Sequence, residues 1–599
     1  MVLYVDREAA MAYFLKQTRN KKGLYLQIYE SHWDPVRRHT AHRSVKALGY
    51  ADALREKGIA DPVSHYRAEV DRMNAERKAS MERERAREIS DVPATRHLGH
   101  FALKAVDDAL GTAGDMALLQ TPAGFRFPLH GLLSSLVYAR AVAPCSKLRT
   151  FGDVLPQMEG IDASFTLGQL YDGLAYLGDE YEKVVEIYNA HVDALFGHDM
   201  SSAYFDCTNF YFEIDREDGF RRKGPSKEHR PEPIVGMGLL LDADCIPVAM
   251  SLFPGNESER PQLGRCIAQM KERGSISGRT VRVADKGLNC ASNIAEAVLA
   301  GDGYIFSKSV KTLPAKERTW ALSDSGWTDV ADGKGGTSFR YKMADGDFGY
   351  AVEGADGRKR KVQLPERRVV TYSPSLARKQ TYEINRQVEK ARSLRAAAAK
   401  RSEYGDSAKY VTFSPVDGEG EVREDMKVAA TLNHEAIGKA KALAGYNMIV
   451  TSETGMDPRA ICDTYHRLWR IEESFRVMKS ELDARPVYLQ RQSTISGHFL
   501  VCYIAVLLMR LLQVKVLGDR FSSEDIMGLC RGLDVCRTSD RRYANVSRRS
   551  PIIEELAQRT GLPLLHFNLT EGDVKAISSC TLSMLRGEGK GPSAAGKRG

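Results

Sequence analysis

Two aspartates that end apolar runs are the residues of this sequence best placed to do chemistry. Asp206 follows the apolar run AYF, and Asp285 follows VRVA in the same way. A carboxylate at the end of a buried strand is costly unless it is paired or binds a metal ion. Aspartates at strand ends also cap turns, so each residue taken singly is equally compatible with a structural role.

The third acidic candidate is Glu472, in the segment TYHRLWRIEESFRVMKSEL. Spacings of three, four and seven place several residues on one face of a helix, at about 100° per residue. These residues are Tyr465, Leu468, Trp469, Glu472, Phe475 and Lys479. Apolar side chains on such a face pack against a core, whereas Glu and Lys are rarely buried without partners. The face is therefore either a helix edge with charged groups in solvent or part of a site.

Three carboxylates together would suit divalent metal ions. Hard oxygen ligands favour Mg²⁺ or Mn²⁺. Two such ions, about 3.5–4 Å apart, can activate an attacking water or 3′-hydroxyl and stabilise the leaving oxygen in phosphoryl transfer on nucleic acids. Catalysis would come from in-line positioning and from neutralising charge at the scissile phosphate. Asp206, Asp285 and Glu472 are thus candidate ligands of two ions.

The composition is that of a soluble globular protein. The chain has 599 residues, of which 43% are hydrophobic and 27% charged, with a net charge of +8. This length exceeds one typical core and predicts several domains or large insertions. The mild positive charge permits a nucleic-acid partner without requiring one. Ten cysteines without a CxxC pair argue against zinc fingers and disulfide frameworks and favour a reducing compartment.

Nothing in the sequence predicts export or membrane insertion. The N-terminal segment MVLYVDREAAMAYFLKQ lacks the continuous apolar region of a signal peptide. The longest apolar run, FLVCYIAVLLM at residues 499–509, is shorter than the roughly 20 residues that span a bilayer. We expect a buried core helix there and a cytoplasmic protein.

Patterning along the chain predicts an α/β fold. Helical periodicity dominates up to about residue 200, and short β-rich runs begin at Ala203. Antiparallel strands followed by a strand–helix–strand alternation are typical of a mixed sheet with helices packed on it. Residues 312–440 interrupt this order with Gly-rich turns, strands and a basic helix, and the α/β pattern resumes at Tyr446. Residues 23–49 predict a basic hairpin that is either solvated or in contact with DNA.

Four ordered motifs resemble one known family. The runs AYFDCTNFYFE, GPSKEHRPEPIVGMGLLLDADCIPVAMSLFPGNESE, VADKGLN and YHRLWRIEESFRVMKSELDARPVY occur in this order. They resemble the first-aspartate strand and hairpin, the following strands with their GN-x-x-E turn, the second-aspartate motif and the glutamate helix of bacterial insertion-sequence DDE transposases. The class is the one with a Tyr-Arg-Glu-Lys signature. This resemblance covers nearly the whole chain.

The resemblance implies a ribonuclease-H-like catalytic core with a β-rich insertion, flanked by mainly helical N- and C-terminal regions. It implies Asp206, Asp285 and Glu472 as ligands of two Mg²⁺ or Mn²⁺ ions. The regions expected are a basic β-hairpin region (1–60), a helical region for binding DNA ends (61–200), the first part of the core (201–311), the insertion (312–445), the second part of the core (446–525) and a C-terminal region with a disordered tail (526–599).

The resemblance also implies residues that contact DNA. Tyr465 and Lys479 match the signature residues that contact phosphates and help to hold the transposon end. The signature arginine position is Leu468 here, and Arg467 or Arg470 is the alternative. Family members stack a displaced base on an aromatic ring, for which Trp320 and Trp327 are candidates.

The loop cations Lys227 and Arg230 are a further candidate DNA contact, and a solvated loop is the equal alternative. Together these features predict a cut-and-paste transposase that binds the terminal inverted repeats of its element as a homodimer. A ribonuclease-H-like endonuclease without strand transfer, or an inactive DNA-binding derivative, are the alternatives. The three intact acids argue against the inactive derivative.

Overall fold

The structure is a computed structural model that describes residues 12–34, 39–85, 94–228, 230–331, 337–353, 358–396, 401–414, 429–539 and 541–588. Contacts divide the chain into two compact units, Met1–Val92 and Pro93–Gly599. The first unit therefore extends beyond residue 60, because a long helix that follows packs on its sheet.

The first unit is a three-stranded antiparallel sheet with two helices. Its elements are β1 (Tyr13–Asn20), β2 (Gly23–Asp34), β3 (His39–Tyr50), α1 (Ala51–Glu56) and α2 (Pro62–Arg85). The strand order is β1-β2-β3, so the predicted hairpin gains a third strand. Leu26, Ala51 and Leu54 form its small core. The basic residues Arg37 and Arg38 lie outside the described residues.

The second unit opens with helices and then builds a large sheet. The first fourteen elements of this unit are β4 (Thr95–His97), α3 (Phe101–Leu110), α4 (Ala113–Gln120), α5 (Leu129–Val142), α6 (Lys147–Arg149), α7 (Leu167–Asp179), α8 (Tyr181–Phe196), β5 (Ser202–Tyr211), β6 (Ile234–Leu241), β7 (Pro247–Pro254), α9 (Arg260–Glu272), β8 (Val281–Ala284), α10 (Ala291–Leu299) and β9 (Gly303–Lys308). This order confirms the predicted α/β class.

The remaining elements run to the C-terminal helix. They are α11 (Ala315–Leu322), β10 (Thr328–Ala331), β11 (Thr337–Glu353), β12 (Lys359–Tyr372), α12 (Pro374–Ala396), β13 (Val411–Ser414), β14 (Ala429–Leu432), α13 (His434–Ala442), β15 (Tyr446–Thr451), α14 (Pro458–His466), α15 (Trp469–Arg476), α16 (Gln492–Arg510), α17 (Ser523–Gly532), β16 (Asp534–Ser539), β17 (Arg542–Asn545), α18 (Pro551–Thr560), β18 (Asn568–Thr570), α19 (Glu571–Ser578) and α20 (Leu582–Arg586). Short 3-10 or π-helical segments are Thr121–Ala123, Thr150–Val154, Leu155–Gln157, Val310–Thr312, Arg401–Tyr410, Val477–Glu481 and Leu511–Val516.

One nine-stranded mixed sheet positions the candidate acids. Its order is β10-β11-β12-β15-β9-β8-β5-β6-β7. Strand β5 pairs antiparallel with β6 and parallel with β8, while β8 pairs parallel with β9. Every residue of β6 and β8 is buried, as expected for central strands with both faces covered. In the parallel pair, β8 ends at Ala284 opposite Phe205, in the middle of β5.

The segment predicted to be an insertion of strands and a helix contributes three strands to the main sheet. Strands β10, β11 and β12 continue the main sheet, since β12 pairs antiparallel with β15 and β15 with β9. The rest is largely helical, with the two-stranded sheet β13-β14 beside α12. The main sheet thus runs uninterrupted through the region expected to be an insertion.

The segment expected as one long helix is broken. Helix α14 ends at His466, Arg467 and Leu468 form a turn, and α15 starts at Trp469. At this point the backbone amides of Arg467 and Leu468 donate to carbonyls three residues back, at 3.2 and 3.1 Å. Such bonds tighten the chain relative to an α-helix. Tyr465 and Glu472 therefore lie on consecutive helices and not on one continuous face.

Helix α16 forms the centre of the helical layer. Residues 494–510 are all buried, and Phe499 packs against Phe210 of the sheet with ring centroids 4.7 Å apart. The helix Gln492–Val516 has the length and hydropathy of a membrane span, but 89% of its most apolar window is buried inside the protein. The apolar run at residues 499–509 is thus a core helix, as predicted.

The C-terminal region is mainly helical with a small sheet. Strands β18, β17 and β16 form an antiparallel sheet that β4 completes, so the end of the chain pairs with the start of the second unit. Helix α20 ends at Arg586, which was expected to begin a disordered tail. Residues 589–599 of that tail lie outside the described residues.

Candidate active site

Asp206 and Asp285 are brought side by side by strand pairing. Phe205 of β5 and Ala284 of β8 are partners in the parallel register, and each aspartate is the next residue of its chain. The apolar residues before them are buried, and Asp285 directly follows the end of β8 at Ala284. The strand end expected at Asp206 is wrong, because Asp206 pairs with Leu239 of β6 and β5 continues to Tyr211. Two candidate ligands that are far apart in sequence thus meet where β8 ends beside the middle of β5.

The electrostatics of Asp206 reflect its acidic neighbours Asp285 and Glu259, and we call these three residues the acidic edge. The pKa of Asp206 is raised to about 6, chiefly by burial and to a smaller extent by the charges of Glu259 and Asp285. The ammonium of Lys227 and a backbone hydrogen bond act in the opposite direction. The Nζ atom of Lys227 lies 3.8 Å from the Asp206 carboxylate. A carboxylate repelled by two neighbours favours a nearby cation.

Asp285 is held by two hydroxyl groups. Its Oδ1 atom accepts hydrogen bonds from Ser307 Oγ at 2.7 Å and from Tyr465 OH at 3.0 Å. Burial acts to raise the pKa of Asp285, but these bonds and the neighbouring Lys286 outweigh it, so the pKa lies below its usual range. The carboxylate is therefore ionised and fixed in orientation. Tyr465 thus contacts an acid of the site, and its contact with phosphates stays a prediction.

Glu472 and Glu473 are neighbours on α15 with opposite surroundings. Glu473 accepts hydrogen bonds from Ser523 at 2.7 Å, Arg510 at 2.9 Å and Arg470 at 3.1 Å, and its side chain is 7% exposed. Glu472 is exposed, and within the described parts of the chain its carboxylate has no hydrogen-bond or ion-pair partner. The structure thus leaves Glu472, the residue chosen from the sequence, as the available carboxylate.

The structure brings two of the three acids together and places the third on an adjoining helix. Helix α15 packs against β5, the strand of Asp206. Among the described residues, no group of three or more Asp, Glu, His or Cys side chains is close enough to hold one metal ion. The adjacent carboxylates of Asp206 and Asp285 nevertheless supply the hard oxygen donors that Mg²⁺ or Mn²⁺ prefers. The ammonium of Lys227, beside Asp206, shows that a positive charge is favoured at these carboxylates. The residues present therefore fit a divalent cation.

Lys227 lies within the acidic edge and does not point freely into solvent. Its ammonium donates to the backbone carbonyl of Cys207 and lies 3.5 Å from the Glu259 carboxylate. Lys227 and Glu259 also line an open cavity of about 380 Å³ that includes Asn209, Phe253 and Gly255. Lys227 is thus paired with Asp206 and Glu259, and its contact with DNA stays a prediction.

Lys479 belongs to a cationic cluster around Glu228. Its Nζ atom lies 3.4 Å from Glu228 and 5.4 Å from the ring centroid of Phe210, on β5. Arg485 also binds Glu228, and Arg230 lies with its guanidinium 4.0 Å from the ring centroid of Tyr211. Three cations therefore share this carboxylate and the end of β5. Burial lowers the pKa of Lys479, although the Glu228 charge opposes the shift.

The two candidates for the signature arginine differ in their surroundings. Arg470 is bound to Glu473 at 3.1 Å and to Asp519, and its side chain is largely buried. Arg467 is exposed and donates to the carbonyl of Ala243 at 2.9 Å. Leu468 is buried in the main core, where an arginine would need a partner. Of the two, Arg467 has the more accessible guanidinium.

The candidate stacking residues Trp320 and Trp327 are engaged with cations. Lys342 Nζ lies 4.5 Å from the Trp327 ring centroid and 5.5 Å from that of Trp320, and it donates to the Trp320 carbonyl at 2.5 Å. The guanidinium of Arg340 lies 4.5 Å from the Trp327 ring. Both indoles are partly buried against the second core cluster. In this structure they support the sheet edge and do not present free ring faces.

Sequence reasoning missed three residues of the site. Ser307, which bonds Asp285, lies within the strand GYIFSK, and only its partner gives it a role. Glu259 belongs to the GN-x-x-E turn, whose motif carried no role in the sequence interpretation. Arg485 directly precedes Pro486 at the end of the fourth motif. The last two were detectable as charged members of the motifs.

Residues 212–508 match the model of the Transposase DDE domain family. This match supports a DDE transposase family for the chain and a transposase or nuclease activity in general. It begins after Asp206 and includes Asp285 and Glu472. A search of curated proteins found no match. The region matched contains most of the nine-stranded sheet and the helices α14 and α15, so the family likeness and the candidate site lie in the same part of the chain.

Proposed function

We propose that the protein is an insertion-sequence transposase that cleaves DNA strands and transfers them with a divalent-metal site made by Asp206, Asp285 and Glu472. The observation that carries the proposal is the pairing of Asp206 and Asp285 on neighbouring parallel strands. The strand order β7-β6-β5-β8-β9, antiparallel and then parallel, is that expected of a ribonuclease-H-like core. The family match over residues 212–508 supports the same conclusion.

Mg²⁺ or Mn²⁺ held by these carboxylates would supply activation of the attacking oxygen and charge neutralisation at the scissile phosphate. Ser307 and Tyr465 keep the Asp285 carboxylate ionised and fixed in orientation, as ligands in such sites require. Glu472, which has no partner within the described chain, is free to turn toward Asp206 and Asp285 when DNA docks. Lys227 balances the charge of Asp206 in the protein alone.

The cations beside β5 provide a surface for the substrate backbone. Lys479, Arg485 and Arg230 surround Glu228 and the ring of Tyr211 at the end of the strand that carries Asp206. Phosphate groups attract Lys and Arg without reading sequence, and they fix the register of the duplex. We assign these three residues to holding DNA at the site. Arg467 takes the place of the signature arginine.

The direct test is cleavage of duplexes made from the DNA that borders the coding region. With Mg²⁺ or Mn²⁺, the wild-type chain should nick at the end of an inverted repeat and join pre-cleaved ends to target DNA. Asp206→Asn, Asp285→Asn and Glu472→Gln should each abolish both steps while the chain remains folded. A variant that keeps wild-type cleavage removes its residue from the site. Cleavage without joining would favour a ribonuclease-H-like endonuclease.

The finer features of this function follow from the same proposal. The protein would act in the bacterial cytoplasm at the nucleoid, binding the terminal inverted repeats as a homodimer in a paired-end complex. Light scattering of the chain with and without two repeat-end duplexes tests the assembly: a complex of two chains and two duplexes is expected, and one chain on one duplex would contradict it.

A further inference from the structure

The positive charge of the chain is concentrated in the sheet of the first unit. Residues 13–50 contain eight Lys and Arg and two acidic residues, a net charge of +6, whereas the whole chain has a net charge of +8. The following helix α2 alternates acids and bases and is close to neutral. A short segment with most of a protein's excess charge is a candidate surface for a polyanion.

One face of this sheet is covered by its own helices. Leu26 of β2 packs with Ala51 and Leu54 of α1, and Lys46 of β3 lies 2.9 Å from Glu69 of α2. Glu30 lies on this same face, where Arg43 approaches at 3.0 Å and Arg77 of α2 at 3.4 Å. Among the described side chains of the three strands, one is acidic, and it is that of Glu30. Its charge is therefore turned toward α2.

Side chains alternate along strands, so the opposite face carries a different set. Phe14 and Tyr29 lie there with ring centroids 5.8 Å apart, and the imidazole of His42 meets Phe14 edge-on at 5.0 Å. Lys16 Nζ lies 4.5 Å from the Tyr29 ring centroid. Tyr25 shares this face by alternation with Tyr29. No acidic side chain of the described strand residues lies on this face.

The turn between β1 and β2 extends the cationic surface. Lys21 and Lys22 occupy this turn and are both exposed, as is Lys16. We define the open sheet face as Phe14, Lys16, Tyr25, Tyr29 and His42 together with these two turn lysines. The aromatic residues give it a firm, flat centre, and the lysines give it charge.

We propose that the open sheet face binds double-stranded DNA through its phosphate backbone, at a site separate from the carboxylates. Sheets and ribbons of this kind fit the major groove, and exposed lysines beside them neutralise phosphates. The rings of Phe14 and Tyr29 are partly buried and contact each other, so they form a platform and are not free to stack on unpaired bases. This inference rests on the proposed function, because a transposase must grip its DNA beyond the point of cleavage.

The test compares two charge-matched variants of the full chain. Lys16→Ala/Lys21→Ala/Lys22→Ala removes three cations from the open sheet face. Arg67→Ala/Arg72→Ala/Lys78→Ala removes three exposed cations from α2 and is the control. Fluorescence anisotropy with a labelled mixed-sequence duplex, over a series of KCl concentrations, gives the affinity and its salt dependence. All six side chains are exposed, so circular dichroism should show an unchanged fold.

The sheet variant should bind the duplex at least about tenfold more weakly, and its slope of log affinity against log salt should fall by about 2–3, since each phosphate that is no longer neutralised lowers the slope by about 0.9. The control should keep the wild-type slope. The inference is overturned if both variants lose the same duplex affinity, or if the affinity of the sheet variant is unchanged. It is also overturned if the wild-type chain prefers single-stranded DNA, or if the sheet variant loses only binding to anionic lipid vesicles.

A catalytic variant separates this inference from the proposed function. Asp206 belongs to the second unit and is distant in sequence from the sheet of the first unit. The Asp206→Asn variant should therefore bind the duplex as the wild type does while cleaving none. If the wild-type chain cleaves no DNA under any condition, the proposed function fails. The salt dependence of duplex binding by the sheet variant still tests whether the open sheet face binds DNA. If cleavage occurs but the sheet variant binds normally, only the further inference fails.

Discussion

The buried side of α15 and the acidic edge of the nine-stranded sheet differ in how their charges are paired. On the buried side, Glu473 is matched by Arg510 and Arg470 and by the Ser523 hydroxyl. At the edge, Asp206 and Asp285 lie side by side, and Glu472 has no partner among the described residues. Charges that serve the fold are compensated within the chain. Those left with acidic neighbours or no partner point to a ligand from outside.

The largest effect, on strand cleavage, should come from replacing the three acids of the candidate site. Asp206→Asn, Asp285→Asn or Glu472→Gln should reduce metal-dependent strand cleavage by on the order of 10³-fold or more, because each removes a charge needed only for chemistry. Thermal unfolding should change little for Glu472→Gln, whose side chain is exposed and has no partner in the described chain. The comparison breaks if Glu472→Gln keeps full activity.

Glu473 should behave in the opposite way. Glu473→Ala leaves Arg510, 0% exposed, without its carboxylate, which should cost about 3–5 kcal/mol of unfolding free energy. Glu472→Ala should stay within roughly 0.5 kcal/mol of wild type. Chemical denaturation measures both. Equal stabilities for the two variants would show that the partners of Glu473 do not hold the fold.

A third buried cluster sharpens the rule that buried charge needs a partner. Lys147 and Arg140 both approach Nδ1 of His498, at 3.4 and 3.3 Å, and neither has a carboxylate partner within the described chain. Burial lowers the pKa of Lys147 from 10.5 to about 7, and the Arg140 charge adds to the shift. Lys147→Met should therefore raise the unfolding free energy by about 1–4 kcal/mol.

The pH dependence of this gain has a definite sign. Below about pH 7 the folded and unfolded chains both bind the Lys147 proton, so the full cost of its burial is present. As the pH rises from about 7 toward 10.5, only the unfolded state keeps the proton, so the free-energy penalty of the buried lysine falls steadily and is lost near pH 10.5. Denaturation of wild type and Lys147→Met at neutral and alkaline pH tests this. A gain that grows with pH would contradict it.

The smallest effect concerns Lys227, whose ammonium competes with a metal ion for Asp206. Removing one partly exposed ion pair is worth about 1 kcal/mol, so Lys227→Met should bind Mn²⁺ roughly fivefold more tightly. Lys223→Met, in the same loop, should not change the affinity. Calorimetric titration with MnCl₂ measures both variants. Weaker binding in Lys227→Met would mean that Lys227 supports the ion and does not compete with it.

Local patterns predicted the parts of this molecule that depend on local sequence. The apolar run before Asp285 predicted the end of β8, and the apolar run 499–509 predicted a core helix, because burial leaves a direct trace in composition. The strand end expected at Asp206 was wrong, because pairing with β6 continues β5 to Tyr211. Strand partners leave no such trace. The pairing of β12 with β15 joins segments that are far apart in sequence, and it makes strands of the expected insertion part of the main sheet.

Side-chain partners were equally invisible from the sequence. The spacing of Tyr465, Glu472 and Lys479 matched one helix, but the turn at Arg467 and Leu468 separates the first two. Tyr465 lies 180 positions from Asp285, and only the folded chain shows its hydroxyl on that carboxylate. Lys227, expected at DNA, lies at Asp206 for the same reason: loop conformation decides its contact.

The most direct test of the central claim asks whether the three acids share one metal site. Fe²⁺ in place of Mg²⁺, with ascorbate and peroxide, cuts a protein backbone next to the bound ion. With duplex DNA present, cuts are expected near residues 206, 285 and 472, and Mg²⁺ should suppress all three together. Cuts near Asp206 and Asp285 with none near Glu472, or no localised cuts, would contradict the account.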